Sequence, residues 1–439
     1  MSKVVKFGGS SLADANQFKK VYEIIKSDDE RRYVVPSAPG KRFKDDIKVT
    51  DLLYKAYNAQ SEKEMTLTFN EIKERYQNII DDLHLDISLE EDFKVIEKAF
   101  QEQIGEDYAA SRGEYLNGKV LACYLGFEFI DAKDVIFIDS HGNYDAKKTD
   151  AILQERLAQV EYAVIPGFYG SLNDGSNTIK AFSRGGSDVT GAIVAKNGKV
   201  DLYENWTDVS GFLIADPRMV KNPDVIETIT YKELRELSYM GASVLHENSV
   251  FPVRSEGIPI NIKNTNKPED PGTLIVESTC HKPAHVITGI AGTKGFATVM
   301  IEKDMMNSEI GFGRKVLQVF EEHDLSFEHM PSGIDTMTII VNTEEFIDKE
   351  QDILAGIHRV VQPDSIILES DLALIAVVGR GMKASRGTAA RVFNALAREN
   401  INIKMIDQGS SELNIIIGVR NCYFEPAIKA IYKEFIENE

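Results

Sequence analysis

The first twenty-five residues constrain the fold more than any other stretch. In Lys3-Val4-Val5-Lys6-Phe7 a weakly alternating apolar run ends on Gly8-Gly9-Ser10-Ser11, and apolar residues then recur at Leu12, Ala15, Phe18, Val21, Ile24 and Ile25. A period near two that passes through a glycine turn into one near 3.6 reads as strand, turn, helix. The grammar returns down the chain. Tyr33-Val34-Val35 runs into Pro36-Ser37-Ala38-Pro39-Gly40, and the apolar runs Val135 to Ile138 and Ala163 to Ile165 flank a helical stretch from Lys147 to Val160. A long helix over Tyr231 to His246 and a strand over Ile258 to Ile262 continue it. Lys41 to Ile104 holds no glycine or proline and is expected to be mostly helical. Strands alternating with helices predict an α/β fold, a parallel-rich central sheet between helices, with ligands outside the carboxyl ends of the strands.

From about residue 285 the rhythm shortens. Strand Phe296 to Ile301, helix Gly313 to His323, strands Leu325 to His329 and Thr336 to Val341, and helix Lys349 to His358 form one unit. The order repeats over Leu372 to Val378, Thr388 to Glu399, Ile401 to Ile406, Leu413 to Val419 and Glu425 to Glu437. Two tandem βαββα units are expected to be small ferredoxin-like modules. The second has no residues left for a closing strand, so 285–291 is expected to supply it and interleave the two. The expected domains are therefore 1–284 and 285–439, the latter holding modules at about 293–365 and 370–439 plus the strand 285–291.

Lys and Arg number 50 against 69 Asp and Glu, a net charge of −19. That field repels nucleic acid and anionic membranes, and neither is an expected partner. An anionic ligand must then be held by local cations or backbone N–H groups. No apolar run is long enough to span a bilayer, and the start runs straight into a strand pattern, so no signal peptide and a cytoplasmic location are expected. The cysteines Cys123, Cys280 and Cys422 are far apart, with no CxxC pair, and read as buried small hydrophobes. The histidines form no HExxH, so no protein-bound metal is expected.

Gly8-Gly9-Ser10 reads either as a steric turn with a serine cap or as an anion cradle, its N–H groups facing a phosphate with Lys6 beside it. It is not a P-loop, whose lysine follows the glycines. A second glycine turn, Ser183-Arg184-Gly185-Gly186-Ser187-Asp188, again precedes a helical run, Val189 to Lys196. Two such turns facing each other across a sheet edge could enclose a polyphosphate, with Asp188 orienting Lys6 and Arg184 offering a fork to a carboxylate. Ser111-Arg112-Gly113-Glu114 reads equally as a solvated patch, and Val49-Thr50-Asp51-Leu52-Leu53 as a helix start. Trp206-Thr207-Asp208-Val209 and Ala215-Asp216-Pro217-Arg218 suit a nucleotide or a core tryptophan with a loop salt bridge. Gly379-Arg380-Gly381-Met382-Lys383-Ala384 imitates a dinucleotide fingerprint but lies inside a small module and lacks the third glycine.

Taken together, KFGGSS, VTDLL, SRGE, SRGGSD, WTDV and ADPR, followed by tandem βαββα modules, resemble the aspartate kinases of the amino-acid kinase family. The later VVGRGMK and IDQGSSELNI are similar to their second ACT module. The resemblance covers nearly the whole chain. It implies transfer of the γ-phosphoryl of ATP to the side-chain carboxylate of L-aspartate, giving 4-phospho-L-aspartate on the way to lysine, threonine and methionine. It implies Lys6 against the transferring phosphoryl with Asp188 organising it, and Phe7, Gly8, Gly9 and Ser10 lining the ATP phosphates. Thr207, Asp208 and Arg218 fall where the family holds the nucleotide. Arg184 falls where it pairs with a substrate carboxylate, Glu114 where it meets the ammonium, and Ser37, Thr50 and Ser187 where it contacts substrate. Mg2+ is implied, bound mainly through ATP. Ser243 departs from the pattern, standing where many members have a nucleotide-contacting lysine; Lys221 or another cation would have to substitute. The ACT resemblance implies a feedback amino acid, lysine before threonine, with candidate contacts Met306, Ser308, Phe312, Glu328, Met330 and Ser332, and a homodimer or larger assembly through the ACT modules. A kinase for another acceptor, or a catalytically silent amino-acid sensor, are the competing readings.

Overall fold

The structure, a computed structural model, describes residues 2–183, 185–242, 245, 247–279 and 283–438, with only the backbone for 247–250. The chain forms two compact units. The first holds 1–212, 225–231 and 244–279; the second holds 213–224, 232–243 and 280–439.

In the first unit the elements run β1 Lys3–Phe7, α1 Ala15–Lys26, β2 Arg31–Pro36, α2 Val49–Tyr57, α3 Glu62–Asp82, α4 Glu90–Gln101, α5 Glu106–Leu125, β3 Glu128–Phe129, α6 Ala132–Val135, β4 Phe137–Ile138, α7 Ala146–Leu157, β5 Ala163–Val164, β6 Tyr169–Leu172, β7 Ile179–Ala181, α8 Gly186–Asn197 and β8 Leu202–Thr207. After β8 come β9 Thr228–Thr230, α9 Tyr231–Tyr239, which falls in the second unit from Lys232 on, and then α10 Glu247–Arg254, β10 Ile260–Asn264 and β11 Thr273–Val276 of the first. The main sheet is ordered β3-β5-β2-β1-β8-β10-β11-β9, and its pairs are parallel except β10 with β11. The parallel-rich sheet read from the strand-helix alternation is therefore present. Val5, Phe7, Phe18, Val21, Val34, Leu53, Phe69 and Tyr76 belong to the core that α1 to α5 form against it. α8 is buried nearly all round, through Val189, Ala192, Ile193 and Val194, and packs on β1, β2 and β8.

Several elements differ from the sequence expectation. α1 is capped by Asp14, which accepts from Gln17 N, and not by Ser10 or Ser11; residues 9–12 form a separate 3-10 turn. Residues 132–135 are helical, and only Phe137–Ile138 of that apolar run is strand. Asp131 caps the short helix by accepting from Lys133 N. The helix expected over 231–246 stops at Tyr239, followed by Gly241 in a positive-φ conformation that favours glycine. Cys123 and Cys422 are exposed, not buried, one on the outer side of α5 and one in a 3-10 turn; Cys280 lies outside the described residues.

In the second unit β12 Gly289–Glu302, α11 Phe312–Glu322, β13 Thr336–Asn342, α12 Thr343–Phe346, α13 Glu350–Val361, β14 Ser365–Val378, α14 Thr388–Arg398, β15 Met405–Asp407, β16 Asn414–Arg420 and α15 Phe424–Tyr432 follow in order. Their sheet is β13-β12-β14-β16-β15, all antiparallel. β12 and β14 are long enough to serve both modules: 289–294 lies beside 373–378, and 298–302 beside 365–369. The strand expected at 325–329 is reduced to isolated bridges, His329 to Ile340 and Ser332 to Met337, because Pro331 and Gly333 break the ladder. That expected at 401–406 shrinks to β15. The segments 213–224 and 232–243 are stitched to this unit: Ile290 N donates to Ile214 O at 2.7 Å, and Glu233, fully buried, accepts from Thr288 Oγ1 at 2.6 Å and Arg380 N at 2.8 Å.

Candidate active site

β1, β2 and β8 are adjacent and parallel, so their carboxyl ends deliver three loops to one edge of the sheet. From β1 comes Lys6, 8% exposed. Its Nζ lies 2.6 Å from Asp188 Oδ1, the acidic residue in the first turn of α8. Residues 182 positions apart in sequence thus meet through the sheet, as the paired glycine turns suggested. Asn205, directly across the ladder from Lys6 on β8, completes the group. Its Nδ2 donates to Asp188 Oδ1 at 2.8 Å, and its Oδ1 accepts from Lys6 Nζ at 3.4 Å. Sequence reasoning missed Asn205; the signal was its place two residues before Thr207 in a strand parallel to β1.

Of the amides in the first glycine turn, that of Gly8 is donated to Trp206 O at 3.0 Å. Gly9 and Ser10 open the 3-10 turn, where the first N–H groups lack a partner within the helix. Gly9 is required by close approach, since a Cβ there would lie 2.9 Å from Ala38 O. Phe7 is buried and stacks near Trp206, which is itself core: its Nε1 donates to buried Glu204 at 2.8 Å.

The loop after β2 brings the second set. Ser37 N donates to Phe7 O, and Ser37 O accepts from Asn117 Nδ2 at 2.7 Å. Ala38 N donates to Glu114 Oε1 at 3.0 Å. Glu114 Oε2 is buried without a partner, as is Asn117 Oδ1. Burial, opposed by the Ala38 hydrogen bond, pushes the Glu114 carboxyl up to about 7 from 4.5. SRGE is therefore no solvated patch: Ser111, Arg112 and Glu114 are all buried, and Arg112 lies against the rings of Tyr108 and Tyr115. Thr50 is half-buried in the first turn of α2, and Ser187 is buried in the first turn of α8, against Gly167.

Thr207 closes β8 and its Oγ1 donates to exposed Asp208 at 3.2 Å. Arg218 is exposed, pairs with Asp216 and belongs to the second unit. Arg184 and Ser243 lie outside the described residues. Among the effector candidates, Met306 and Phe312 are buried in the core of the first module, Met330 packs on that core, and Ser308 and Ser332 are exposed. Glu328 accepts from Tyr239 Oη. The Gly379 to Ala384 decoy is a 3-10 turn of the second unit following β14.

The arrangement is a buried cation neutralised by one carboxylate, beside two free backbone amides and a carboxyl group kept near neutrality. It can gather anionic oxygens and an adjacent ammonium group, and it contains no strong base.

Comparison with known proteins agrees with this geometry. Residues 1–264 match the amino acid kinase family and residues 375–435 match an ACT domain. Aspartokinase 3 of Bacillus subtilis is 41% identical, over 99% of this chain and 98% of its own length. The crystal structure of Clostridium acetobutylicum aspartate kinase, an allosteric enzyme, is 52% identical with a TM-score of 0.88, covering 99% of both chains. E. coli aspartokinase III, solved with aspartate and ADP and also with lysine and aspartate, shares the fold at 24% identity over 99% of both chains, with TM-scores of 0.76 and 0.73. The chain belongs to the amino acid kinase family, as an aspartokinase with C-terminal ACT domains.

Proposed function

We propose that the site at the carboxyl ends of β1, β2 and β8 phosphorylates the side-chain carboxylate of L-aspartate with ATP. The observation that carries this is the Lys6, Asp188 and Asn205 group beside the open amides of Gly9 and Ser10. Attack of one anion on another needs charge neutralisation and alignment more than a general base. Lys6 supplies charge to the transferring phosphoryl, Asp188 and Asn205 hold its ammonium in place, and the amides of Gly9 and Ser10 donate to phosphate oxygens. Phe7 and Gly8 shape the turn, and Thr207 and Asp208 take the nucleotide. Glu114 receives the aspartate ammonium, with Ser37, Thr50, Ser187 and Arg184 around the substrate. Among the described residues no three or more His, Cys, Asp or Glu gather to hold a metal. Mg2+, carried mainly by ATP oxygens, would supply further neutralisation of phosphate charge.

Residues 1–284 form the catalytic domain in this reading, and 285–439 two interleaved regulatory modules. An end-product amino acid, lysine before threonine, binds near 306–312 and 328–332, and ACT modules of two subunits associate. E. coli aspartokinase III in complex with lysine supports that order of effectors. No described helix is long and apolar enough to cross a membrane, in keeping with a cytoplasmic enzyme.

The test is ADP release with Mg-ATP and L-aspartate, L-glutamate as comparison acceptor, and lysine or threonine added in turn. Aspartate-dependent release suppressed by one of them is expected. Release with glutamate alone would favour a sister kinase, and none with either would overturn the reading.

A further inference from the structure

The glycine turn after β1 is held in place by a guanidinium from α3. Arg75 is 5% exposed. Its Nη2 donates to Gly40 O at 2.7 Å and Ala13 O at 3.3 Å, and its Nη1 to Asp46 Oδ2 at 2.9 Å and Ile47 O at 3.3 Å. These acceptors come from two loops. Ala13 follows the 3-10 turn of Gly9 to Leu12, while Gly40, Asp46 and Ile47 lie between β2 and α2.

Where the loops meet, Gly40 N donates to Gly9 O at 2.8 Å, and a Cβ on Gly40 would lie 2.6 Å from Gly9 C. Backbones this close move together or not at all. The same loop carries Ala38, whose N–H holds Glu114. Arg75 therefore sits behind both the phosphate side and the substrate side of the site without touching either.

Its environment is a costly one for a residue kept for stability alone. Arg75 shares Asp46 with the more exposed Arg42, and its own Nε is buried without a partner. Replacing such a buried pair with apolar groups of similar volume is often neutral or stabilising, so the pair is better explained by the geometry it enforces.

We propose that Arg75 is a positioning residue for phosphoryl transfer. By clamping Gly40 and Ala13 it sets the Gly9–Gly40 contact, and with it the direction of the Gly9 and Ser10 amides toward the transferring phosphoryl group. This rests on reading that turn as the cradle of the ATP phosphates.

The experiment compares the full chain with Arg75→Lys, Gly40→Ala, Arg42→Ala and Lys6→Ala, measuring kcat, both KM values and the thermal midpoint. Lysine keeps the charge but cannot reach several carbonyls in a planar fork. Arg75→Lys is expected to lower kcat about 10- to 100-fold, as small misplacements of reacting groups do. Its midpoint should stay within about 4 °C of the parent. Gly40→Ala should show the same kcat loss with Arg75 intact. Arg42→Ala, which removes a guanidinium that touches neither glycine, should stay within about twofold. Unchanged kcat in a folded Arg75→Lys overturns the proposal, as does loss of the folded state in Arg75→Lys while Gly40→Ala turns over normally. Normal turnover in Lys6→Ala would instead remove the cradle reading itself.

Discussion

Lys6 and Glu114 carry opposite tasks and are held in opposite surroundings, one against a carboxylate and one with an unpartnered oxygen. Lys6 is buried with the Asp188 carboxylate 2.6 Å away, and Asn205 fixes that carboxylate. Removing one preorganised charge-stabilising donor costs about 10²- to 10³-fold in turnover, and a loss of that size is expected for Lys6→Ala in the ADP-release assay. Glu114 is raised by burial. Between 4.5 and about 7 the folded chain retains a proton that the unfolded chain has released, so raising the pH through that window removes stability. Glu114→Gln should flatten that part of the curve of unfolding free energy against pH in the ligand-free enzyme. An ammonium ion takes the ionised form, so KM for L-aspartate should fall as pH rises toward about 7 in the parent and not in Glu114→Gln. SRGE was legible as a set of residue types, but its burial was not, because α5 is hidden on faces that its mixed polar sequence does not mark.

At the scale of elements, α8 shows how packing places chemistry. A Cβ on Gly191 would lie 2.4 Å from Tyr203 Oη, so the helix rests directly on β8, and this close approach puts Asp188 against Lys6. Gly191→Ala gains up to about 1 kcal/mol of helix propensity but overpacks a rigid ring, typically at about 1–3 kcal/mol. A net loss in denaturant-derived unfolding free energy is expected, with lower kcat because Asp188 shifts. Strand and helix types of the strongly periodic stretches were legible, as for β1, β2, α1 and α11. The short ones were not. Val135 to Ile138 and 325–329 are patterned as strands, yet the short helix 132–135 that Asp131 caps takes Val135, and the Pro331 to Gly333 break reduces the second to bridges.

At the scale of the whole molecule, β12 and β14 bind the two C-terminal modules into one sheet, since each strand serves both. Ile339 is fully buried in the core of the first module. Ile339→Ala should cost about 2–5 kcal/mol, and hydrogen exchange should loosen the amides of 373–378 in the second module as well. Local sequence was enough to determine the strand-turn-helix grammar, the parallel-rich sheet, the tandem modules and the residue types of the phosphate turn, because periodicity and glycine placement act over a few residues. Tertiary structure alone decided that Asn205 joins Lys6 and Asp188, that Gly8 spends its amide on the sheet, that Glu114 is buried, and that 213–224 and 232–243 belong with the second unit. Those outcomes depend on register and close packing between segments up to 200 residues apart, which no local pattern encodes.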